Sequence, residues 1–112
     1  METKDLGKTS MGMQANVAAL LSYVLGWITG LIFFLMEKEN KYVRFHAFQS
    51  IVVFLSFTAL AILLTVIPVI GWMLLPVLYV VQLIVWAILL IKAYQGEKFK
   101  LPIAGDMAEK NA

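Results

Sequence analysis

The feature that most constrains this chain is where its charges are missing. No Asp, Glu, Lys or Arg falls between Lys8 and Glu37, and none between Arg44 and Lys92. A helix on the surface of a water-soluble domain keeps a polar face, so neither stretch suits such a domain. A helix that crosses a bilayer needs roughly 20 mainly apolar residues to cover about 30 Å of hydrocarbon. The first gap holds one such segment. The second is too long for one and is interrupted by Pro68 and Gly71, so it is read as two. The expectation is an all-α polytopic membrane protein with three transmembrane helices in a small antiparallel bundle. Residues 1–14 form a polar tail, residues 15–94 carry spans at about 17–36, 45–66 and 73–92, and residues 95–112 form a second polar tail. Composition agrees: 62% of residues are hydrophobic and 14% charged, against about 25% charged in soluble domains.

Several function classes drop out at this stage. The net charge of +2 is too small and too mixed for a nucleic-acid surface. There is no cysteine, which removes disulfides and thiolate chemistry. With one histidine, no multi-histidine metal site forms within one chain, and no metal or cofactor is expected. No carboxylate lies within a span to serve a proton relay. Ser50 lies near His46, but no orienting carboxylate accompanies them, and Gly96-Glu97-Lys98 lacks the rest of a phosphate loop. An enzyme is therefore not expected. Lys4 and Lys8 precede an apolar stretch as in a signal peptide. That stretch is longer than a signal core and a charged loop follows it, so it is read as retained.

Within the first span, Ala18, Ser22, Gly26 and Gly30 recur every fourth position, which on a continuous helix places them on one face. Small residues let helix backbones approach closely in lipid. The ridge is read as a packing face for another helix of this chain or for another copy. Asn16 is positioned to cap the helix. The second span opens with His46, Gln49 and Ser50 on one face; beyond them it carries only the hydroxyls of Ser56, Thr58 and Thr65, which can bond back to their own helix. The third span places Tyr79, Gln82 and Trp86 on one face. Gln82 is the amide in the middle of a span, and an unpaired amide in hydrocarbon costs several kcal/mol. It should face another helix or a wet cavity. The apolar run Leu101 to Ala104 is too short to span and is expected to fold back onto the interface.

Three spans would put the N-terminal tail and the 67–72 turn on one side, with Lys4 and Lys8. The 37–44 loop and the C-terminal tail would lie on the other, with Lys38, Lys41, Arg44, Lys92, Lys98, Lys100 and Lys110. The side richer in Lys and Arg faces the cytoplasm, which predicts a cell-membrane protein with its N-terminus outside and its C-terminus inside.

The densest polar cluster is Tyr42, Arg44, His46, Gln49 and Ser50. It reads either as a headgroup, substrate or partner site or as an interfacial anchor with Arg44 reaching lipid phosphates. Two stretches, NVAALLSYVLGWITGLIFFLMEKENKYVRFHAFQS (16–50) and KAYQGEKFKLPIAGDMAEK (92–110), carry a family resemblance. VRFHAFQS is its most specific part, with Ala93, Gly96, Leu101, Pro102 and Gly105 in the tail. The chain resembles small uncharacterised prokaryotic membrane proteins related to the twenty-kilodalton chloroplast inner-envelope import component. The plastid relatives have four spans where this chain has room for three, so an import role is not carried over. The resemblance implies a membrane setting and draws attention to Arg44, His46 and Gln49. The function expected is association in the membrane, with itself as a homo-oligomer or with a membrane protein partner. The alternatives are an oligomeric channel or transporter, with Gln82 and the threonines as lining, and binding of membrane lipid headgroups at the cytoplasmic boundary.

Overall fold

In the computed structural model, which describes residues 7–10 and 12–112, the chain forms α1 (Ala15–Val24), α2 (Trp27–Met36), α3 (Lys41–Thr65), α4 (Ile70–Tyr94) and α5 (Ala104–Asn111). Lys4 and the rest of residues 1–6 of the polar tail lie outside the described residues. No strand occurs among the described residues. α3 and α4 are 25 residues each, or about 37 Å at 1.5 Å per residue, and both are long and apolar enough to cross a membrane. Asn40 caps α3, its side chain accepting from Val43 N at 3.0 Å. Ser56, Thr58 and Thr65 donate to carbonyls four residues back, at 2.6, 2.8 and 2.7 Å, so these hydroxyls bring no unpaired group into the span. After a short turn, Trp72 donates its indole N–H to Thr65 O at 2.9 Å and covers an open carbonyl at the end of α3. α4 begins before the expected Met73, which places Pro76 inside the helix rather than in its first turn.

The expected first span, continuous over about 17–36, is broken. α1 and α2 are 10 residues each, about 15 Å apiece, or half the hydrocarbon thickness. The break falls at Leu25 and Gly26, where Gly26 takes φ +65° and ψ −132°, a conformation open to glycine and strained for other residues. The two helices do not continue in one line. α1 starts beside the end of α4, where Asn16 donates to Tyr94 O at 3.1 Å. It runs inward until Tyr23 O accepts from the Trp86 indole at 2.8 Å. α2 then returns along α3. A Cβ on Gly26 would lie 3.2 Å from Phe54 Cβ, and one on Gly30 only 2.9 Å from Ala47 O and Ser50 Cβ, while the end of α2 meets Arg44. α1 and α2 thus form a re-entrant hairpin that enters and leaves at the same end of the molecule.

This geometry also corrects the predicted alternation of sides. Ser10 N donates to both Glu37 carboxylate oxygens at 2.7 and 3.0 Å, and Asn40 Nδ2 donates to Lys8 O at 3.1 Å. The N-terminal segment and the 37–40 loop therefore sit together, where three straight spans would put them on opposite faces of a bilayer. The C-terminal segment comes to the same end and then turns inward along α3. Leu101 to Ala104 reach Val53, Ser56 and Phe57, deeper than an interfacial fold-back, and α5 follows with Ala104 and Ala108 buried.

The Ala18, Ser22, Gly26 and Gly30 ridge does not form one helix face, because the break falls inside it. Ala18 and Ser22 are fully buried on α1, and Gly30 is buried on α2 against α3. These small residues pack helices of this chain against each other. Gly30 in particular allows α2 to approach the α3 backbone more closely than any side chain permits.

Candidate functional site: a buried polar seam on α3

Tyr42, His46 and Gln49 fall on one stripe of α3 at helical spacing, with Ser50 beside them, and all four side chains are buried. Their hydrogen bonds fix one another's chemistry. His46 Nε2 meets Glu97 O at 2.9 Å. A carbonyl only accepts, so Nε2 carries the proton and Nδ1 is the acceptor. Tyr23 therefore donates its O–H to His46 Nδ1, at 2.6 Å. The Tyr23 oxygen accepts in turn from Gln49 Nε2 at 3.0 Å. The second amide hydrogen of Gln49 goes to Phe99 O at 2.9 Å, and its carbonyl accepts from Leu101 N at 3.0 Å. Tyr42 donates to Ala93 O at 2.6 Å. One stripe of α3 thus holds the re-entrant hairpin through Tyr23 and the C-terminal segment through main-chain atoms of residues 93, 97, 99 and 101.

The break at the hairpin tip is sealed by the same logic. Ser50 donates to Gly26 O at 2.8 Å. Thr29 donates to Ser22 O at 3.1 Å and accepts from Leu25 N at 3.1 Å. Irregular backbone at membrane depth persists only where protein satisfies it, and these side chains do so. Among the described residues no buried side-chain nitrogen or oxygen lacks a partner.

At the rim, Arg44 Nη1 donates to Phe34 O at 3.0 Å and Glu37 O at 2.8 Å, with its guanidinium carbon 4.1 Å from the centroid of the Phe34 ring. It caps the C-terminus of α2 and stacks on that helix. Glu37 is fully buried and accepts from Ser10 N, Ser10 Oγ, Glu39 N and Asn40 N. Burial works to raise its pKa; the donors from Asn40, Ser10 and Glu39 outweigh that and hold the carboxyl below its ordinary value. Asn16 does not cap α1, whose N-cap is Gln14; it tethers α1 to the end of α4 instead.

Gln82 stands apart from this seam. It lines an open cavity of about 410 Å³ beneath the hairpin tip, with Gly26, Trp27, Phe54, Thr58 and Trp86, and it makes no hydrogen bond to a described residue. The sequence brought forward Arg44, His46, Gln49 and Ser50 together, and the structure splits them: His46 and Gln49 share the seam, Ser50 seals the break, and Arg44 closes α2. Sequence reading passed over Tyr23 and Glu37. A phenol in the middle of an apolar segment needs a hydrogen-bond partner when buried, which is the signal that would have marked Tyr23. Glu37 accepts from the main-chain amides of Glu39 and Asn40, a local turn contact, but its burial depends on Ser10 of a distant segment, which no local pattern marks.

The arrangement binds the chain to itself. Among the described residues no three His, Asp or Glu side chains gather as a metal-holding group, and the seam's polar atoms are used by one another. Fold and seam together define a small helical membrane protein whose polar interior is hydrogen-bonded within the chain. The chain belongs to the magnetosome magnetite crystal formation protein family, whose model matches residues 7–108. It is 48% identical over 105 residues to a UPF0132 membrane protein of Methanocaldococcus jannaschii, covering 94% of each chain. It is 51% identical over 98 residues to a UPF0132 membrane protein of Archaeoglobus fulgidus, covering 88% of this chain and 95% of the relative. A second Methanocaldococcus jannaschii relative is 44% identical over 101 residues, 90% of this chain and 72% of its own length. These relatives are named only as membrane proteins, without an activity and without a link to the chloroplast import component. No solved structure matches the chain.

Proposed function

We propose that this protein is a non-enzymatic membrane component that works by lateral association, and that α3 and α4 span the bilayer with both chain ends on the cytoplasmic side. The single observation behind the association reading is Gln82: an amide midway along an apolar helix, without a hydrogen bond to any described residue. The surrounding half of the α3–α4 hairpin supports it. Ile62, Val66, Ile70, Met73 and Val77 are all more than half exposed, so this half has no cover from the chain itself. Topology follows from charge. Every described Lys and Arg lies in the N-terminal segment, the 37–44 region or the segment from Lys92 onward, which gather at one end, while the 66–69 turn at the other end carries none. The Lys- and Arg-rich side faces the cytoplasm. This replaces the expected outside N-terminus.

The family's description ties it to magnetite crystal formation. We do not extend a mineral-binding role to this chain, whose described carboxylates form no metal-holding group. Headgroup binding by Arg44 is disfavoured because its guanidinium is already engaged with two carbonyls and a ring. A channel is less favoured, since the Thr58 and Thr65 hydroxyls bond back to their own helix and leave Gln82 alone of the expected polar lining.

Two measurements test the proposal. The chain has no native cysteine, so single cysteines report cleanly. Thr9→Cys and Lys98→Cys should resist a membrane-impermeant thiol reagent on intact cells, and Val69→Cys should react. Reaction at Thr9→Cys would reverse the topology. Fluorescence transfer between donor- and acceptor-labelled copies in liposomes, together with mild-detergent purification from native membrane, should show a self-associated or partner-bound species. A protein that stays a lone monomer in both settings would end the association reading.

A further inference from the structure

The cross-section of the molecule changes abruptly halfway along α3. Its buried residues all fall between Tyr42 and Phe54, and none falls between Leu55 and Thr65. Two inserts produce the change, and they stop at one level. The hairpin tip sets Gly26 against Phe54. The C-terminal segment brings Leu101 to Ala104 against Val53 and Phe57. Phe54 lies about 20 Å along α3 from Lys41 and about 17 Å from Thr65, so both inserts end near mid-depth. Each then turns back at a positive φ, +65° at Gly26 and +68° at Ile103. α2 returns to Arg44, and α5 folds back beside the segment before it, where Glu109 pairs with Lys100. Among the described residues, α1 to α4 and the C-terminal segment share the charged half, whereas only α3 and α4 continue to the 66–69 turn. At a diameter of about 10 Å per helix, the charged half has about twice the section of the other.

A body of unequal section is not neutral to the shape of its membrane. In a flat bilayer the wide half crowds the lipid of one leaflet, and the narrow half leaves the other leaflet slack. Bending the membrane to be convex on the wide side gives the crowded leaflet its extra area. Insertion into one leaflet is curvature-sensitive for this reason. We infer that this protein is a wedge that selects, and at high density imposes, membrane that is convex on its Lys- and Arg-rich side. Its partner is the lipid surface itself, read by shape. Every described Lys and Arg lies in the wide half, and charge is costly at the bilayer centre, so the inserts are held in that leaflet. The wedge rests on the reading that α3 and α4 cross the bilayer. It does not depend on whether another protein covers Gln82.

The test uses full-length Thr9→Cys and Val69→Cys, one at each end of the molecule. Each is inserted from detergent into preformed phosphatidylcholine vesicles, either large and extruded or small and sonicated. Neutral lipid removes charge as a cause of orientation. A membrane-impermeant thiol reagent then reads which end faces out. The two reacting fractions should add to one at either size, because the sites lie on opposite faces of the bilayer. The outer leaflet is the expanded one in a small vesicle. The Thr9→Cys fraction should therefore rise relative to the Val69→Cys fraction, by about twofold or more from large to small vesicles, a bias of about 0.4 kcal/mol. Fractions that add to one but keep the same ratio at both sizes overturn the wedge while the crossing stands. Both sites reacting fully from outside would remove the crossing, and the wedge with it. Depth is the second measurement. Fluorophores on Leu25→Cys and Ile103→Cys, at positions 64% and 76% exposed, should be quenched best by quenchers placed near the ends of the acyl chains. A label at headgroup depth at either site takes away that insert and overturns the wedge.

Discussion

Two glutamines sit on the membrane-length helices, Gln49 in the first half of α3 and Gln82 midway along α4, and they live in opposite surroundings. Gln49 on α3 is fully buried and uses both amide hydrogens and its carbonyl on Tyr23, Phe99 and Leu101. Gln82 on α4 borders an open cavity and bonds to no other described residue. The halves of the molecule around them differ in the same way. Around Gln49 the re-entrant hairpin and the C-terminal segment wrap α3, and each broken piece of backbone is closed by a side chain. Around Gln82 the hairpin tip leaves an open cavity between itself, α3 and α4. The first half has found its partners by folding, whereas Gln82 has none among the described residues.

The largest effect expected from breaking this comparison is at Gln49. Gln49→Leu removes the side-chain partner of the Phe99 carbonyl and of the Leu101 amide, two part-buried contacts, at up to about 1–3 kcal/mol each. It should lower stability by about 2–5 kcal/mol in a detergent unfolding titration and expose the C-terminal segment to protease. A variant with unchanged protease resistance would show that the seam does not hold that segment. Gly30→Leu comes next. Its side chain would press on Ala47 O and Ser50, and overpacking of this kind costs about 1–3 kcal/mol; thermal unfolding in detergent should show a loss in that range, with Gly30→Ala less affected. At the hairpin tip, Gly26→Ala forces a residue with a Cβ into a sparsely populated backbone region and against Phe54, at about 1–3 kcal/mol, and should show a loss in that range by the same assay.

At the rim the comparison can be sharpened with pH. The Glu37 carboxyl is held below its ordinary value of 4.5 in the folded chain, so near that value the unfolded chain binds more protons than the folded one. The stabilisation from Glu37 is complete above pH 4.5 and is lost as pH falls through the folded-state value. The melting temperature of wild type should drop over this acid range more steeply than that of Glu37→Gln. Equal slopes would mean that the Ser10 and Asn40 contacts do not form in solution. The smallest effect on the monomer is expected for Gln82→Leu, within about 0.5 kcal/mol, as for a substitution away from packed or bonded features. A large loss of monomer stability at Gln82 would abolish the distinction between the two glutamines.

Some of this was legible in the residues and some was not. The long apolar helices were, because the missing charges between Arg44 and Lys92 leave no polar face, and Pro68 with Gly71 marks the turn between them. The polar face of His46, Gln49 and Ser50 was also visible from spacing. The break in the first apolar segment was not. Gly26 and Gly30 fit a straight small-residue ridge as well as a bend, and the choice depends on Ser50, Thr29 and Trp86 being placed to close the open carbonyls. The alternation of ends was hidden for the same reason: a segment of the right length and hydropathy reads as one continuous helix, whereas α1 runs inward and α2 returns to the same end.

That this is a helical membrane protein with its charges confined to the ends of its apolar segments is written in the residues, because transfer of side chains from water to hydrocarbon depends on composition and length alone. Tertiary structure decided which segment turns back, which ends lie together, and which of two similar glutamines is satisfied. Those outcomes depend on hydrogen bonds between residues tens of positions apart, such as Tyr23 with His46 or Gln49 with Leu101. A local pattern carries the need for a partner but not its identity.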